Sequence, residues 1–98
     1  ALLMKNRDEA NQEEYSIPVD GLFLAIGHHP NSALFSDYID VDVEGYIKTK
    51  GATAQTSMPS VYAAGDVADP SYRQAITAAA SGCKAAKDAE RYLLAQGL

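Results

Sequence analysis

A short apolar stretch that ends in Gly-Asp and leads into an alanine-rich helix constrains the fold of this chain more than any other feature. The sequence AAGDVADPSYRQAITAA begins inside the predicted strand Val61–Ala64, which Gly65-Asp66 closes. A polar loop follows, and then apolar residues recur at helical spacing. Strand, loop and helix in this order form the repeating unit of an open α/β sheet. We therefore predict an α/β fold.

This stretch also predicts a binding site, because ligands of open α/β sheets lie beyond the carboxyl ends of strands and near helix N-termini. Asp66 is expected at such a strand end, where its carboxylate can accept hydrogen bonds from the hydroxyls of a sugar-like chain. Arg73, Gln74 and Ala75 are expected in the first helical turn, whose unpaired N–H groups favour a carbonyl oxygen or an anionic ring. With Gly65, these residues form the candidate site.

A purely structural interpretation of the same residues stays open. Asp69-Pro70 matches a helix N-cap followed by proline at the first helical position. The sequence from Ser71 to Gln74 matches a capping box, and Asp66 can be an ordinary turn residue. Short motifs of this kind have many false positives, so the pattern alone favours the structural interpretation.

The remainder of the chain is predicted to be mostly strands and turns. Residues 1–26 are expected to form a β-meander of three strands, namely Ala1–Lys5, Glu13–Pro18 and Leu22–Ile26, with a polar link over Asn6–Gln12. The third strand is apolar at every position, as in strands that are covered on both faces. Gly27 and Pro30-Asn31 interrupt the strand pattern and indicate a domain boundary at residues 27–31. Further on, Ile39, Val41 and Val43 predict a half-buried strand that turns at Glu44-Gly45 and pairs with Tyr46–Lys50.

One long helix is predicted at the C-terminal end, with Gly97 as its C-terminal cap. Its apolar face is expected to be buried and to consist of Ile76, Ala79, Ala80, Cys83, Ala86 and Leu93. Its solvated face is expected to carry Lys84, Lys87, Asp88 and Arg91. On this pattern Cys83 is a packing residue and not a redox partner.

Charge and cysteine content exclude several classes of function. A formal net charge of −5 disfavours nucleic acid and anionic membranes as partners. A single cysteine cannot form an internal disulfide or a structural zinc site, which fits a reducing cytoplasm. His28-His29 lacks the further ligands of a metal site, so we expect no metal. No residue is assigned a catalytic role.

Three stretches together resemble one known family. SVYAAGDV, YRQAITAAASGCKAAKDAERYL and GLFLAIGHHPN are similar to segments of the bacterial low-molecular-weight thioredoxin reductases, flavoproteins with two dinucleotide-binding domains. The resemblance covers nearly the whole chain. Gly65-Asp66 alone resembles many flavoproteins of the wider superfamily. The run from Tyr72 to Ala75 is what makes the resemblance specific to this family.

The resemblance implies a role for each candidate residue. Asp66 would bind the ribityl chain of FAD, and Arg73, Gln74 and Ala75 would lie along the isoalloxazine ring. The family passes electrons from NADPH to FAD, then to a Cys-x-x-Cys pair and finally to thioredoxin. It implies a partial Rossmann-like FAD/NAD(P)-binding domain: residues 1–26 as the tail of an NADPH-binding domain, and residues 27–98 as the C-terminal part of an FAD-binding domain.

Most of the family's machinery does not occur in this sequence. It contains no Gly-x-Gly-x-x-Gly loop and no Cys-x-x-Cys. We therefore expect a C-terminal fragment of such an enzyme, inactive alone and binding FAD weakly or not at all. The alternative is a truncated, non-catalytic paralogue that acts as an oligomerising interaction module. In either case exposed strand edges predict a homo-oligomer or a strand-swapped assembly.

Overall fold

A two-stranded antiparallel hairpin begins the fold in the computed structural model, which describes residues 2–5 and 14–98. Strand β1 spans Leu2–Lys5 and strand β2 spans Glu14–Ile17, with Leu2 opposite Ile17 and Lys5 opposite Glu14. The first two predicted strands are therefore confirmed, to within one residue at their ends. The polar link predicted over Asn6–Gln12 lies outside the described residues.

The third predicted strand is wrong. Residues 22–26 form no strand in the described part of the chain, and their large side chains are exposed, Phe23 to 97% and Ile26 to 89%. A strand that is apolar on both faces is stable only when neighbouring strands pair with it and other layers cover it. The described residues supply neither, so this segment forms no strand and pairs with no other described segment.

The predicted hairpin at residues 39–50 is reduced to one β-bridge around a tight turn. Val41 bridges Ile47, and the carboxylate of Asp42 accepts hydrogen bonds from the N–H groups of Glu44 and Tyr46, both at 2.9 Å. Because the turn already begins at Asp42, Val43 lies within it and is fully exposed. The expectation that Val43 is half-buried is thus wrong.

A second bridge forms the predicted strand at residues 61–64. Gln55 pairs with Tyr62, and the N–H of Ala63 donates to the carbonyl of Ala54 at 2.9 Å. Here too a single bridge replaces a regular strand. Its position just before Gly65 is as predicted.

A small apolar core joins these two bridges. Ile39, Ile47 and Ala63 are each no more than 7% exposed, and half-buried side chains pack against them: Val41, Val61, Val67 and Ala68. Residues from both bridges thus pack around one centre. This core holds the loop that precedes the helix in place.

Helix α1 spans Ala75–Ala95 and ends as predicted at a glycine cap. Gly97 has a φ of 79°. Its N–H donates to the carbonyl of Leu94, and the N–H of Leu98 donates to the carbonyl of Leu93. These two bonds form a Schellman motif, which satisfies carbonyls at the end of the helix. No helix in the described residues is long and apolar enough to cross a membrane.

The helix packs on the face opposite to the one expected. The half-buried residues are Thr77, Ala78, Ser81, Ala85, Asp88, Ala89 and Tyr92. The predicted apolar face is exposed instead, including Ile76 at 79% and also Cys83. The packed face carries hydroxyls and one carboxylate because these groups bond to the backbone of the neighbouring loops. Asp88, expected in solvent, has a side chain only 11% exposed.

Candidate functional site

A glycine-dependent turn leads from the core to the helix. Gly65 has φ 81° and ψ −163°, a backbone region that is essentially restricted to glycine. A single 3₁₀ turn, Asp66–Ala68, follows it directly, with the N–H of Ala68 donating to the carbonyl of Gly65 at 3.1 Å. The chain therefore changes direction at the position where the sequence predicted the end of a strand.

Asp69 organises the next four residues and is not the N-cap of the helix. Its carboxylate accepts the N–H groups of Ser71, Tyr72 and Arg73 at 3.0, 2.8 and 2.9 Å. The bonds from Tyr72 and Arg73 are the main reason why the pKa of Asp69 is lowered. The structural interpretation of Asp69 as the helix N-cap is therefore wrong, because Arg73 adopts a φ of 52° and interrupts any helix there.

Helix α1 begins at Ala75 with Gln74 as its N-cap. Arg73 and Gln74, expected in the first helical turn, thus precede the helix, which starts two residues after Arg73. The side chain of Gln74 accepts the N–H of Thr77, and the N–H of Gln74 donates to the Thr77 hydroxyl at 3.3 Å. A capping box thus exists, but it pairs Gln74 with Thr77 and does not span Ser71 to Gln74. Within the described residues the N–H groups of Ala75 and Ile76 have no hydrogen-bond acceptor. They are the available donors at the head of the helix.

Asp66 and Arg73 line one open cleft of about 240 Å³. The guanidinium Nη1 of Arg73 donates to the Tyr46 hydroxyl at 3.2 Å, which fixes the arginine at one wall. The remaining lining residues are His28, His29, Pro30, Asn31 and Val67. The structure thus brings two of the five predicted site residues together.

The other three predicted site residues lie outside this cleft. Gly65 lines a second, more polar cleft of about 380 Å³ beside the helix, together with Asp69 and Ser81. Gln74 and Ala75 are exposed at the helix head. A ligand that contacted all five would therefore have to extend from the first cleft along the start of the helix.

The cleft combines an exposed carboxylate with cationic and neutral hydrogen-bond donors. Asp66 can accept hydrogen bonds from hydroxyls, and Arg73 can donate to a carbonyl or an anionic group. Among the described residues, no cluster of three histidine, cysteine or acidic side chains could hold a metal ion. The arrangement is suited to binding a polar organic molecule.

Sequence reasoning missed two contributors to this site. The sequence indicates a turn at His28-His29 without the further ligands of a metal site, yet both residues line the cleft with Asp66. Ser81 was not considered, although its hydroxyl accepts the N–H of Gly65 at 2.8 Å. The available signal was the spacing of Thr77 and Ser81, which places two hydroxyls on one helix face.

A family model and two related sequences all place this chain among the same group of oxidoreductases. The family model for pyridine nucleotide-disulphide oxidoreductases matches residues 4–82. The chain is 54% identical over 90 residues to the bifunctional thioredoxin reductase/thioredoxin of Mycobacterium leprae, covering 92% of this chain and 20% of that protein. It is 52% identical over 90 residues to the thioredoxin reductase of Mycolicibacterium smegmatis, covering 92% of this chain and 29% of that protein.

A solved structure agrees with these relatives. The thioredoxin reductase from Giardia duodenalis superposes with a TM-score of 0.72 at 39% identity, over 92% of this chain and 29% of that one. This likeness confirms the predicted α/β class as part of a Rossmann-like domain. The chain spans between 20% and 30% of the length of the curated relatives that it matches. The family match and these similarities together lead to one conclusion: the chain belongs to the pyridine nucleotide-disulphide oxidoreductase family.

Proposed function

We propose that this chain is the C-terminal flavin-binding segment of a thioredoxin-reductase-like, NADPH-dependent disulfide oxidoreductase. The observation that carries the proposal is identity of about half of the aligned residues to thioredoxin reductases, 54% and 52% in the two relatives above, over nearly the whole chain. The shared cleft of Asp66 and Arg73 supports it independently of the names of those relatives.

The residues fit one part of an FAD molecule. A cleft of about 240 Å³ is smaller than most complete ligand pockets, so it suits a portion of such a cofactor. In this proposal Asp66 accepts hydrogen bonds from the ribityl hydroxyls, while Arg73, Gln74 and Ala75 lie along the isoalloxazine ring. Gly65 permits the turn that carries Asp66. FAD, when bound, supplies the two-electron chemistry between nicotinamide and disulfide.

The rest of the proposal concerns the domains, the electron acceptor and the compartment of the whole enzyme. We propose that residues 1–26 belong to an NADPH-binding domain and residues 27–98 to an FAD-binding domain. Thioredoxin is the proposed electron acceptor, and the cytoplasm is the proposed compartment, since the single cysteine suits a reducing environment. The phosphate-binding loops and the Cys-x-x-Cys pair would be supplied by other segments of the enzyme.

A chimeric enzyme tests this function. This chain would replace the matching segment of the Mycolicibacterium smegmatis thioredoxin reductase, and the purified protein would be assayed for retained flavin absorbance and NADPH-dependent disulfide reduction. We expect both, and we expect Asp66→Ala to lose most of the bound flavin. Asp37→Ala, which removes an exposed carboxylate outside both clefts, is the matched control. A folded chimera without flavin would refute the proposal.

The 98-residue chain alone is expected to bind FAD weakly or not at all. Without a glycine-rich loop the pyrophosphate half of the cofactor has no backbone donors to hold it. The test is to mix the chain with FAD, remove the excess and measure the retained visible absorbance. A tightly bound yellow cofactor would contradict this expectation.

A second candidate function, an oligomerising interaction module, is favoured by one observation. Phe23, Leu24 and Ile26 are 97%, 75% and 89% exposed, which leaves an apolar segment available for association. Light scattering on the chain and flavin retention by the chimera separate the two functions. A stable oligomer together with a chimera that fails to hold flavin would favour the module.

A further inference from the structure

The hydroxyl of Ser81 joins helix α1 to the turn that carries Asp66. The N–H of Gly65 donates to Ser81 Oγ at 2.8 Å, and Ser81 Oγ donates to the carbonyl of Ala78 at 2.8 Å. The single hydroxyl proton is thus directed to Ala78, which leaves a lone pair facing Gly65. The result is a continuous chain of hydrogen bonds from the turn into the first turns of the helix.

This contact acts at the residue with the greatest conformational freedom in the site. Glycine populates positive and negative φ about equally, so Gly65 needs external contacts to hold its φ of 81°. The N–H of Ala68 binds its carbonyl from one side, and Ser81 binds its N–H from the other. Ser81 is the only one of these two partners that lies on the helix, so it also sets the distance between the turn and the helix head.

We propose that Ser81 is a positioning residue for flavin binding, which acts by fixing Gly65 so that the Asp66 carboxylate is held in the cleft with Arg73. This inference rests on the proposed function. Ser81 itself does not line that cleft. Its effect on flavin is therefore exerted through Asp66, and this indirect route can be tested separately from mere folding.

The first measurement is hydrogen exchange of the Gly65 amide in the flavin-free chimera, which does not depend on cofactor binding. Removal of the acceptor in Ser81→Ala should speed exchange roughly tenfold, the size expected for losing one hydrogen bond. Ser81→Thr should restore protection, because a threonine hydroxyl can make the same bond to a preceding carbonyl. Ser36→Ala is the matched control, since Ser36 donates only to the carbonyl of Ala33.

The second measurement is the affinity of the chimera for FAD, arranged as a double-mutant cycle. Ser81→Ala should weaken FAD binding roughly fivefold to tenfold, and Ser81→Thr should recover it. If Ser81 acts through Asp66, Ser81→Ala should have little further effect in an Asp66→Ala background. Circular dichroism of the helix verifies that each variant is folded. If Ser81→Ala does not fold, Ser81→Thr still tests the proposal, because it should keep both the protection of the Gly65 amide and the affinity for FAD.

Two results would overturn the inference. Unchanged Gly65 exchange in Ser81→Ala would show that the hydrogen bond does not hold the turn. Additive effects of Ser81→Ala and Asp66→Ala on FAD affinity would show that Ser81 does not act through Asp66. An unsubstituted chimera that binds no FAD would instead refute both the proposed function and the flavin role of Ser81, while the exchange result would still decide whether Ser81 fixes the turn.

Discussion

The carboxylate of Asp88 offers the sharpest test of how the helix is attached to the rest of the chain. Its Oδ2 accepts the N–H of Ala54 at 2.8 Å across 34 residues, its side chain is 11% exposed, and Ala54 is 4% exposed. Asp88→Ala would leave a buried N–H without an acceptor. Loss of a hydrogen bond to a charged group costs about 1.5–3 kcal/mol, so we expect the free energy of unfolding to fall by about 2 kcal/mol.

The assay is urea denaturation followed by helical circular dichroism, with all variants at one protein concentration because association would shift the transition. At a urea dependence of about 1.5 kcal/mol/M, the midpoint of Asp88→Ala would fall by about 1.3 M. Asp88→Asn keeps an acceptor and should lose about half as much. Glu90→Ala removes an exposed carboxylate of the same helix, paired only with Lys87 at 3.4 Å, and should change stability by less than about 0.5 kcal/mol.

Tyr62 provides a second readout of the same contact. Its pKa is raised, chiefly by burial and then by the nearby Tyr92 and Asp88. Asp88→Asn removes the negative charge of the aspartate and should lower the pKa of Tyr62, measured by phenolate absorbance. An Asp88→Ala variant as stable as Glu90→Ala, together with an unchanged Tyr62 titration in Asp88→Asn, would refute the reasoning that this carboxylate binds the helix to the loop.

Three further predictions concern the turn, the loop and the exposed apolar segment. Gly65→Ala should destabilise the chain by about 1–3 kcal/mol, because alanine tolerates φ 81° with ψ −163° poorly. Gly82→Ala lies mid-helix with open space around its Cβ and should stabilise the chain by about 0.5–1 kcal/mol, so equal urea midpoints for the two variants would contradict this prediction. The pKa of Asp69 is lowered by folding, so the stability that Asp69 contributes is complete above the ordinary aspartate pKa and is lost as the pH falls through the lower folded pKa. Circular dichroism below about pH 4 should therefore show less acid sensitivity in Asp69→Asn than in the unsubstituted chain, and an equal reduction in Asp37→Asn would count against this assignment. Light scattering at micromolar concentration should detect self-association that the double substitution Phe23→Asp and Ile26→Asp reduces, and a monodisperse monomer before substitution would exclude it.

Local chemistry determined several elements, and these were predictable from the sequence. Gly97 ends the helix because a residue with positive φ is needed there and glycine adopts it without strain. The strand pair at residues 2–5 and 14–17 joins two segments that are close in the sequence and pair with each other. Gly65-Asp66 marks the turn before the helix because that backbone region excludes other residues. Each of these features depends on a few neighbouring residues.

Tertiary contacts decided what the sequence pattern alone could not. The helix packs with Ser81 and Asp88 inward because distant backbone N–H groups, those of Gly65 and Ala54, need their oxygens as acceptors. Helical periodicity identifies an apolar face but does not reveal such partners, so the buried face was assigned to the wrong side. The helix likewise starts at Ala75 and not at Arg73. The Asp69 carboxylate accepts the N–H groups just before the helix, and the Arg73 side chain binds the Tyr46 hydroxyl. Periodicity thus determined that a helix forms, and hydrogen bonds across the fold decided where it begins and which face it packs.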